Sequence, residues 1–488
     1  MAARVNTQRL RVDATALTIV FSESAFNAIK PARGARPMQQ EFNSPRGRMA
    51  QPAEQLRRRV VGVLPATLCL LALGGTAPAQ AFEYGPFSLT GFAKLNLGHV
   101  SNGCKDCQRD PTAGRQFIWA DDLVFGKEFG GLDTHSLQIQ PTLGLKFDLP
   151  QGFTLSAAYS QRLRDGKPDI PGVVYERSAT LKHEYYGTVQ IGNFLSRGWN
   201  RPDYPYASDL GQTAFSDAGA AYGILTKALR YTSRELFVAD GNLVLEGTYD
   251  WGDTNFKRNK PYLFELWALW ARGPLVVEAI MQTSRNGPPA AFAKAPFTGL
   301  TPFPGRDDQQ LNGSGQGMFM MLSKYQIGTA YEVSGGLRFN RWSGAYAVPL
   351  TQGPLAQWNN PFNVNWGGFD ANGVPNPGYA ARSTDFMLGL RKYVDPKLVA
   401  YSGLTYLGKA TTDNPSERGQ SNSALFASLG ARYAVGGGLS VASSLNAVFY
   451  GRKGQAPLSM PAHNAFSNVD SRIAQRGNWV TFEANYQF

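Results

Sequence analysis

The sequence predicts an all-β fold, a 16-stranded antiparallel transmembrane β-barrel. Three observations carry that reading. Segments of about ten residues alternate apolar and polar side chains from residue 87 to the end of the chain. The breaks between them alternate between short and long. The number of segments is even, which brings both ends of the strand array to one side and lets the first and last strands close on each other.

The alternation is clearest in "SLQIQPTLGLKFDL". One face carries Leu137, Ile139, Leu143, Leu145 and Phe147; the other carries Gln138, Gln140, Thr142, Lys146 and Asp148. A soluble sandwich alternates in the same way, but its strands usually run to about five or six residues. Strands of about nine to eleven suit a bilayer. Taken in order, the segments are 87–100, 135–149, 153–164, 174–183, 188–195, 225–233, 242–251, 262–271, 275–284, 317–325, 331–341, 384–393, 398–408, 423–434, 438–450 and 478–488. Short breaks such as "PQG", "EYYG", "RGP", "VDPK" and "GGG" separate some of them. Breaks rich in Gly, Pro, Asn and Trp, such as 285–316, 342–383 and 451–477, separate others. Parity blurs in "FELWALWARGPLVVEAI", where apolar residues occupy both series. The closing "NWVTFEANYQF" sets Val480, Phe482, Ala484, Tyr486 and Phe488 on a lipid face and Thr481, Glu483, Asn485 and Gln487 on a watery one.

Ahead of the strands, Met49 opens a secretory leader. Arg57, Arg58 and Arg59 precede an apolar run from Val60 to Gly74, followed by small-residue cleavage sites ending at Ala81. The run is too short for a membrane anchor. Residues 1–48 are expected to be an upstream extension from a mis-assigned start, 49–81 a signal peptide, and 82–488 the barrel domain. The whole chain carries a formal charge of +12, but cleavage removes 11 basic and 4 acidic residues and leaves net +5. The basic balance belongs mostly to the leader and gives no argument for nucleic acid.

Of the three cysteines, Cys69 falls in the leader. Cys104 and Cys107 form "CKDC" in an exported, oxidising setting. A local disulfide is the expected state, with a redox or metal role as the alternative. No second Cys pair supplies a zinc site and no His follows Cys107 for haem attachment, so no metal or cofactor is expected. The four His and the pair Asp121/Asp122 form no nucleophile–base constellation, and no enzyme is expected. A plugged transporter lacks room for its plug before the first strand, and only "CKDC" speaks for an electron conduit.

The stretch "YYGTVQIGNF", with Tyr186, Gly187, Thr188 and Gly192, resembles a turn-and-strand pattern of Gram-negative general porins of the betaproteobacterial type, with Asn193 where Arg is usual. "LRYTS" and "YVDPKLVAYSGLTYLGK" are similar to further strands of that family, and the Phe488 ending matches its assembly signal. The resemblance implies a trimer whose third extracellular loop folds inward and narrows the pore. By position that loop is 196–224, although the family's Pro-Glu-Phe-Gly-Gly stretch is missing. It would place Trp199, Asp203, Tyr204, Tyr206, Asp209 and Asp217 at a constriction, opposed by basic wall residues. Lumen parity nominates Lys94, Lys146, Arg162, Arg164 and Arg230, with Arg162 and Arg164 near the outer vestibule. Acidic and basic groups facing each other would set up a transverse field that orients solutes. The expected function is passive diffusion of small hydrophilic solutes and ions across the outer membrane. The alternative is a substrate-selective channel in which Trp199, Tyr204 and Tyr206 stack on a solute rather than pin the loop. Expected partners are outer-membrane lipid and lipopolysaccharide, two further copies of the chain, the barrel-assembly machinery reading Tyr486 and Phe488, and small polar solutes.

Overall fold

The computed structural model describes residues 82–101, 133–168, 174–207, 215–216, 219–221, 223–252, 262–286, 314–344, 378–409, 411–412, 423–452, 457 and 476–488. Sixteen long strands follow in order: β1 Phe87–Ser101, β2 Asp133–Asp148, β3 Phe153–Ser160, β4 Glu176–His183, β5 Gly187–Leu195, β6 Ile224–Thr232, β7 Gly241–Asp250 and β8 Tyr262–Arg272. Then come β9 Leu275–Asn286, β10 Ser314–Ile327, β11 Tyr331–Gly344, β12 Gly378–Tyr393, β13 Leu398–Leu407, β14 Ala424–Gly436, β15 Leu439–Tyr450 and β16 Arg476–Gln487. Each pairs antiparallel with its sequence neighbours. β1 pairs with β16 from Phe92↔Gln487 to Ser101↔Asn478, so the barrel is closed and all sixteen expected strands are present. Closure leaves no free edge, which is what lets a sheet exist without water on its backbone.

The seam is finished by both ends of the barrel chain. Gly91 and Phe488 exchange backbone hydrogen bonds of 2.8 and 3.0 Å. Gly91 has φ +155°, and a Cβ there would lie 2.3 Å from the Gln140 carbonyl, so only glycine lets β1, β2 and the carboxyl terminus meet. Below that point β16 has ended, and residues Phe82–Tyr84 fold back to pair with Phe87–Leu89 of β1.

The two faces are chemically distinct. Leu245, Leu266, Met281, Phe319, Leu337, Phe386, Leu388, Leu445 and Phe482 point outward and are exposed. Glu246, Glu265, Glu278, Asn340, Asp385, Ser428 and Asn446 occupy the alternate, buried positions and point inward. Exposed aromatics ring the outer surface near both ends: Phe147, Tyr231, Tyr325, Tyr331 and Tyr433 near the short turns, and Tyr159, Tyr249, Trp251, Tyr262 and Phe449 near the long connections. That is a belt built for hydrocarbon with amphipathic rings at its borders.

Two expectations are corrected. The segment 153–164 is not one strand: β3 stops at Ser160, and Leu163–Arg164 pairs instead with Lys167–Pro168 and with Gln138 and Ile139 of β2. β12 begins at Gly378 rather than 384, and β10 gains residues at both ends. The Gly- and Arg-containing sequence "GYAARS" hides its alternation, but its backbone still finds partners on β11.

Candidate functional site

Between β5 and β6 the chain turns into the barrel. Ser196 N donates to the Gly223 carbonyl (2.8 Å), closing the base of the segment, and Ser196 Oγ caps a short helix α1, Arg197–Arg201, by accepting from Trp199 N (3.2 Å). A π-turn, Pro202–Ala207, continues it. The Arg197 and Gly198 amides donate to Glu265 of β8 (2.9 and 2.8 Å). A Cβ on Gly198 would lie 2.6 Å from Met318 Cε and 3.2 Å from Ala221 Cβ, so a larger residue there would have to displace the Met318 side chain. Trp199 is buried against Tyr175, Ile224 and Leu195.

The segment's basic residues then meet wall acids. Arg197 donates through Nε and Nη2 to both oxygens of Glu246 on β7 (2.8 and 2.7 Å). Arg201 makes the same bidentate bond to Glu278 on β9, which also accepts from Trp267 Nε1 (2.8 Å) and Tyr206 Oη (3.2 Å). Both guanidiniums lie over the Trp267 ring, at 4.7 and 5.7 Å from its centre. Burial, and then the Glu278 carboxylate, push the Tyr206 phenol well above its ordinary range, so it stays a protonated donor.

Further round, Arg338 of β11 and Asp385 of β12 pair at 2.8 Å with both side chains wholly buried. Arg338 also donates to the Phe215 carbonyl (2.6 Å), and Asn340 Oδ1 accepts from the Ala220 amide (2.9 Å). Arg391 pairs with Glu332 and approaches the Tyr206 carbonyl. Between these polar clamps lies a dry core: Tyr206, Ala207, Phe215, Ala220 and Ala221 pack on Trp267, Ile280, Met318, Met320, Leu322 and Met387 of the inner wall. The segment is thus fastened across the inner faces of β7 to β12.

The residues expected at the site fare differently. Trp199 and Tyr206 are buried and hold the segment to the wall. Asp203 is partly exposed on the π-turn. Asp209, Asp217, Cys104, Cys107, residues 1–81 and the side chain of Tyr204 lie outside the described residues. Arg230 is not an open wall charge: it is buried, bonded to Thr248 and the Leu195 carbonyl (both 3.0 Å), paired with Glu246 (2.9 Å) and Glu265 (3.5 Å), and stacked on Phe194. Lys94 reaches Glu483 across the seam (3.7 Å), and Lys146 is exposed near the short-turn end. Arg162 is placed deeper than the vestibule position expected of it. Its Nε donates to Gln140, midway along β2 (2.9 Å), and it lies between the Phe92 and Tyr175 rings. The break after Ser160 swings it inward. Arg164 is buried and pairs in register with Gln138.

Along β7 to β9 arginines of the segment meet carboxylates of the wall, whereas along β11 and β12 the wall arginines Arg338 and Arg391 reach carbonyls of the segment. Glu246, Glu265, Glu278, Arg197 and Arg201 were legible as candidates only indirectly. Each glutamate is an isolated charge in an apolar strand, as in "FELWALW" and "LVVEAI", and such a charge needs a buried partner.

No protein-family model and no curated protein matches the chain. Solved structures do. An anion-selective porin from Comamonas acidovorans is 11% identical, with 82% of this chain and 99% of that chain covered and a TM-score of 0.51. OmpT, an outer membrane protein of Vibrio cholerae in its trimer form, is 12% identical, with 83% and 100% covered and a TM-score of 0.52. Salmonella typhi OmpF in complex with daunomycin is 11% identical, with 84% and 100% covered and a TM-score of 0.50. At such identities the likeness is one of fold: this chain carries the closed, 16-stranded antiparallel barrel of those proteins.

Proposed function

We propose that this chain is an outer-membrane channel of a Gram-negative bacterium, through which small hydrophilic solutes and ions diffuse passively. The observation that carries the reading is the pairing of an exposed apolar belt with a polar interior in one closed barrel. The belt suits hydrocarbon, and a ring of sixteen strands is wide enough to hold an aqueous path. Residues 196–207, with Phe215, Ala220 and Ala221, would narrow that path from the side of β7 to β12. Short turns would face the periplasm with both strand ends, and the long connections would face outward. Residues 49–81 would direct export and be removed, with 1–48 dispensable; amino-terminal sequencing of the membrane form should begin near residue 82. Cys104 and Cys107 would form a local disulfide with little effect on stability, so neither should react with a thiol probe without reductant. Three copies would assemble, delivered by machinery that reads Tyr486 and Phe488, among lipid and lipopolysaccharide.

Purified protein in planar bilayers should give stepwise, ohmic conductance. Liposomes containing it should swell in neutral sugars at rates falling with sugar size. Absence of both would overturn the channel reading. The second reading, a stacking surface for a selected solute, draws less support because Trp199 and Tyr206 are turned into the core.

A further inference from the structure

From the ends of two neighbouring strands we infer that His99 and His135 form a transition-metal site on the outer surface of the barrel, near the long connections. The inference concerns the lipid-facing side and does not depend on what passes through the lumen. The outward series of β1 reads Phe87, Leu89, Gly91, Ala93, Leu95, Leu97 and His99. That of β2, read from the same end of the barrel, is Phe147, Leu145, Leu143, Pro141, Ile139, Leu137 and His135. Each is apolar from the short-turn end up to its imidazole. The chain has four His, and two of them fall at this one level. Elsewhere the same border is held by Tyr159, Tyr249, Trp251 and Tyr262, so an amphipathic anchor does not call for imidazole. In register Leu97 faces His135 and His99 faces Asp133, which makes the two histidine positions diagonal neighbours on one face. Diagonal neighbours lie about 7–8 Å apart at the backbone, within reach of aromatic side chains. An ion about 2.0–2.1 Å from each nitrogen fits between two rings so placed. Both residues are exposed.

The chemistry selects the class of ion. Neutral imidazole suits Zn²⁺, Ni²⁺ and Cu²⁺, whereas Mg²⁺ and Ca²⁺ take oxygen ligands. Among the described residues no group of three or more His, Cys, Asp or Glu gathers to hold a metal. The pair is therefore an open site of two protein ligands, whose remaining positions go to water or to oxygen ligands from outside the barrel. His183 is not a rival, because both its ring nitrogens are engaged. Its Nε2 lies 3.0 Å from the Gln151 carbonyl, and its Nδ1 accepts from the Tyr185 and Tyr186 amides at 3.0 and 3.3 Å. An ion shared by His99 and His135 would tie β1 to β2 where the chain leaves one strand and enters the other, beside the seam that β1 makes with β16.

The test titrates Zn²⁺, Ni²⁺, Cu²⁺ and Mg²⁺ into the full, folded barrel in detergent, followed by calorimetry. The expected result is a single site on each chain, tightest for Cu²⁺ and absent for Mg²⁺. Loss of even an outer partner of a metal ligand costs about 10–100-fold in affinity, so His99→Gln and His135→Gln should each weaken binding by at least that much. Zn²⁺ should raise the urea midpoint of the wild type and leave that of the double variant unmoved, since an ion that binds the folded barrel stabilises it. A further reading needs no variant: with one equivalent of Cu²⁺, electron paramagnetic resonance of the wild type should show two imidazole nitrogens on the copper. A single nitrogen in that spectrum, single variants that bind as tightly as the wild type, a double variant that keeps its site, or equal affinity for Mg²⁺ would each overturn the inference. Should a variant fail to fold, the wild-type spectrum and the order of affinities decide. None of these results bears on conductance, so the channel reading stands or falls by its own test.

Discussion

The inner wall from β7 to β12 and the inner wall from β13 round through β16 to β4 share strand geometry and differ in chemistry. The first sector is covered by described residues of the segment between β5 and β6, among them Tyr206, Ala207, Phe215, Ala220 and Ala221. Its inward positions hold Glu246, Glu265, Glu278, Arg338 and Asp385, each with a buried partner, and Ile280, Met318, Met320 and Leu322 in a dry core. The second sector is faced with hydroxyls and amides that bond one another: Gln140 to Ser160 (3.1 Å), Asn446 to Ser444 (2.8 Å) and Ser444 to Thr481 (2.6 Å). The ion pair Lys94–Glu483 on this wall is longer, at 3.7 Å, and its carboxylate is partly exposed, unlike Glu246 and Glu278. A wall that faces protein has to be solved as a core, with every charge matched. A wall that faces water can be left as a solvated surface, because water satisfies what side chains do not.

The largest expected effect breaks the covered sector outright. Deleting residues 200–218 removes Arg201, Tyr206 and Phe215. It strands Glu278 and opens Met318, Met320 and Leu322 to water. Leaving a buried charge unpaired costs about 3–5 kcal/mol, and the exposed core adds to that. The deletion should therefore fail to refold in detergent, read by the loss of the gel-mobility difference between folded and heated barrel. A folded barrel with wild-type thermal stability and a higher conductance would mean that the segment is an optional plug.

The same substitution placed in each sector sharpens the contrast. Glu278→Ala deprives Arg201, Trp267 Nε1 and Tyr206 Oη of their acceptor and should destabilise by about 3–5 kcal/mol. Glu483→Ala, whose lysine partner is reached by water, should cost about 0–1 kcal/mol. Urea titration of both variants in one lipid system measures the difference. Equal losses would erase the distinction between the sectors.

The two sectors were also unequally legible in sequence. All sixteen strands follow from period-2 alternation, because lipid on one side and water on the other impose it. Where the segment covers the wall, both sides are apolar, and alternation fades for that reason. "FELWALWARGPLVVEAI" is blurred because Trp267 and Ile280 face the segment's core while Leu266 and Ala279 face outward. The blur marks the docking surface. Both the position of the inward segment and the expected layout of acids on it and bases on the wall came from likeness to a known family. The acidic residues of 196–224 suggested an acidic segment against a basic wall, whereas pairing made Arg197 and Arg201 its anchors. Which of several charges is buried depends on strand register across the barrel, and local sequence does not encode that.

A smaller effect, on selectivity rather than stability, is expected at Asp203. It sits on the π-turn two residues after Arg201 and is partly exposed. Asp203→Asn removes a negative charge from the covered sector's water-facing surface. The reversal potential in a salt gradient should move toward anion preference, with conductance little changed. Near 1 M salt, where the Debye length is about 3 Å, the shift should shrink. A shift toward cations, or one indifferent to salt, would mean that Asp203 does not face the conducting path.

The smallest effect belongs to the open sector. Ser444 Oγ contacts Thr481 Oγ1 on β16 and accepts from Asn446 Nδ2 on its own strand. In a core, Ser444→Ala would leave those groups unsatisfied and cost about 1–3 kcal/mol. Ser444 and Asn446 are themselves buried, but they sit on a polar wall, where water entering the space left by the hydroxyl can bond the amide and the Thr481 hydroxyl, so the change should stay within about 1 kcal/mol. The β15–β16 ladder itself is untouched, since Ser444↔Thr481 remains paired through its backbone. Thermal unfolding in detergent, run beside Glu278→Ala, reads both ends of the scale in one experiment. A Ser444→Ala loss as large as that of a core hydroxyl would show that β15 and β16 face packed protein, so the aqueous path would have to run elsewhere in the barrel.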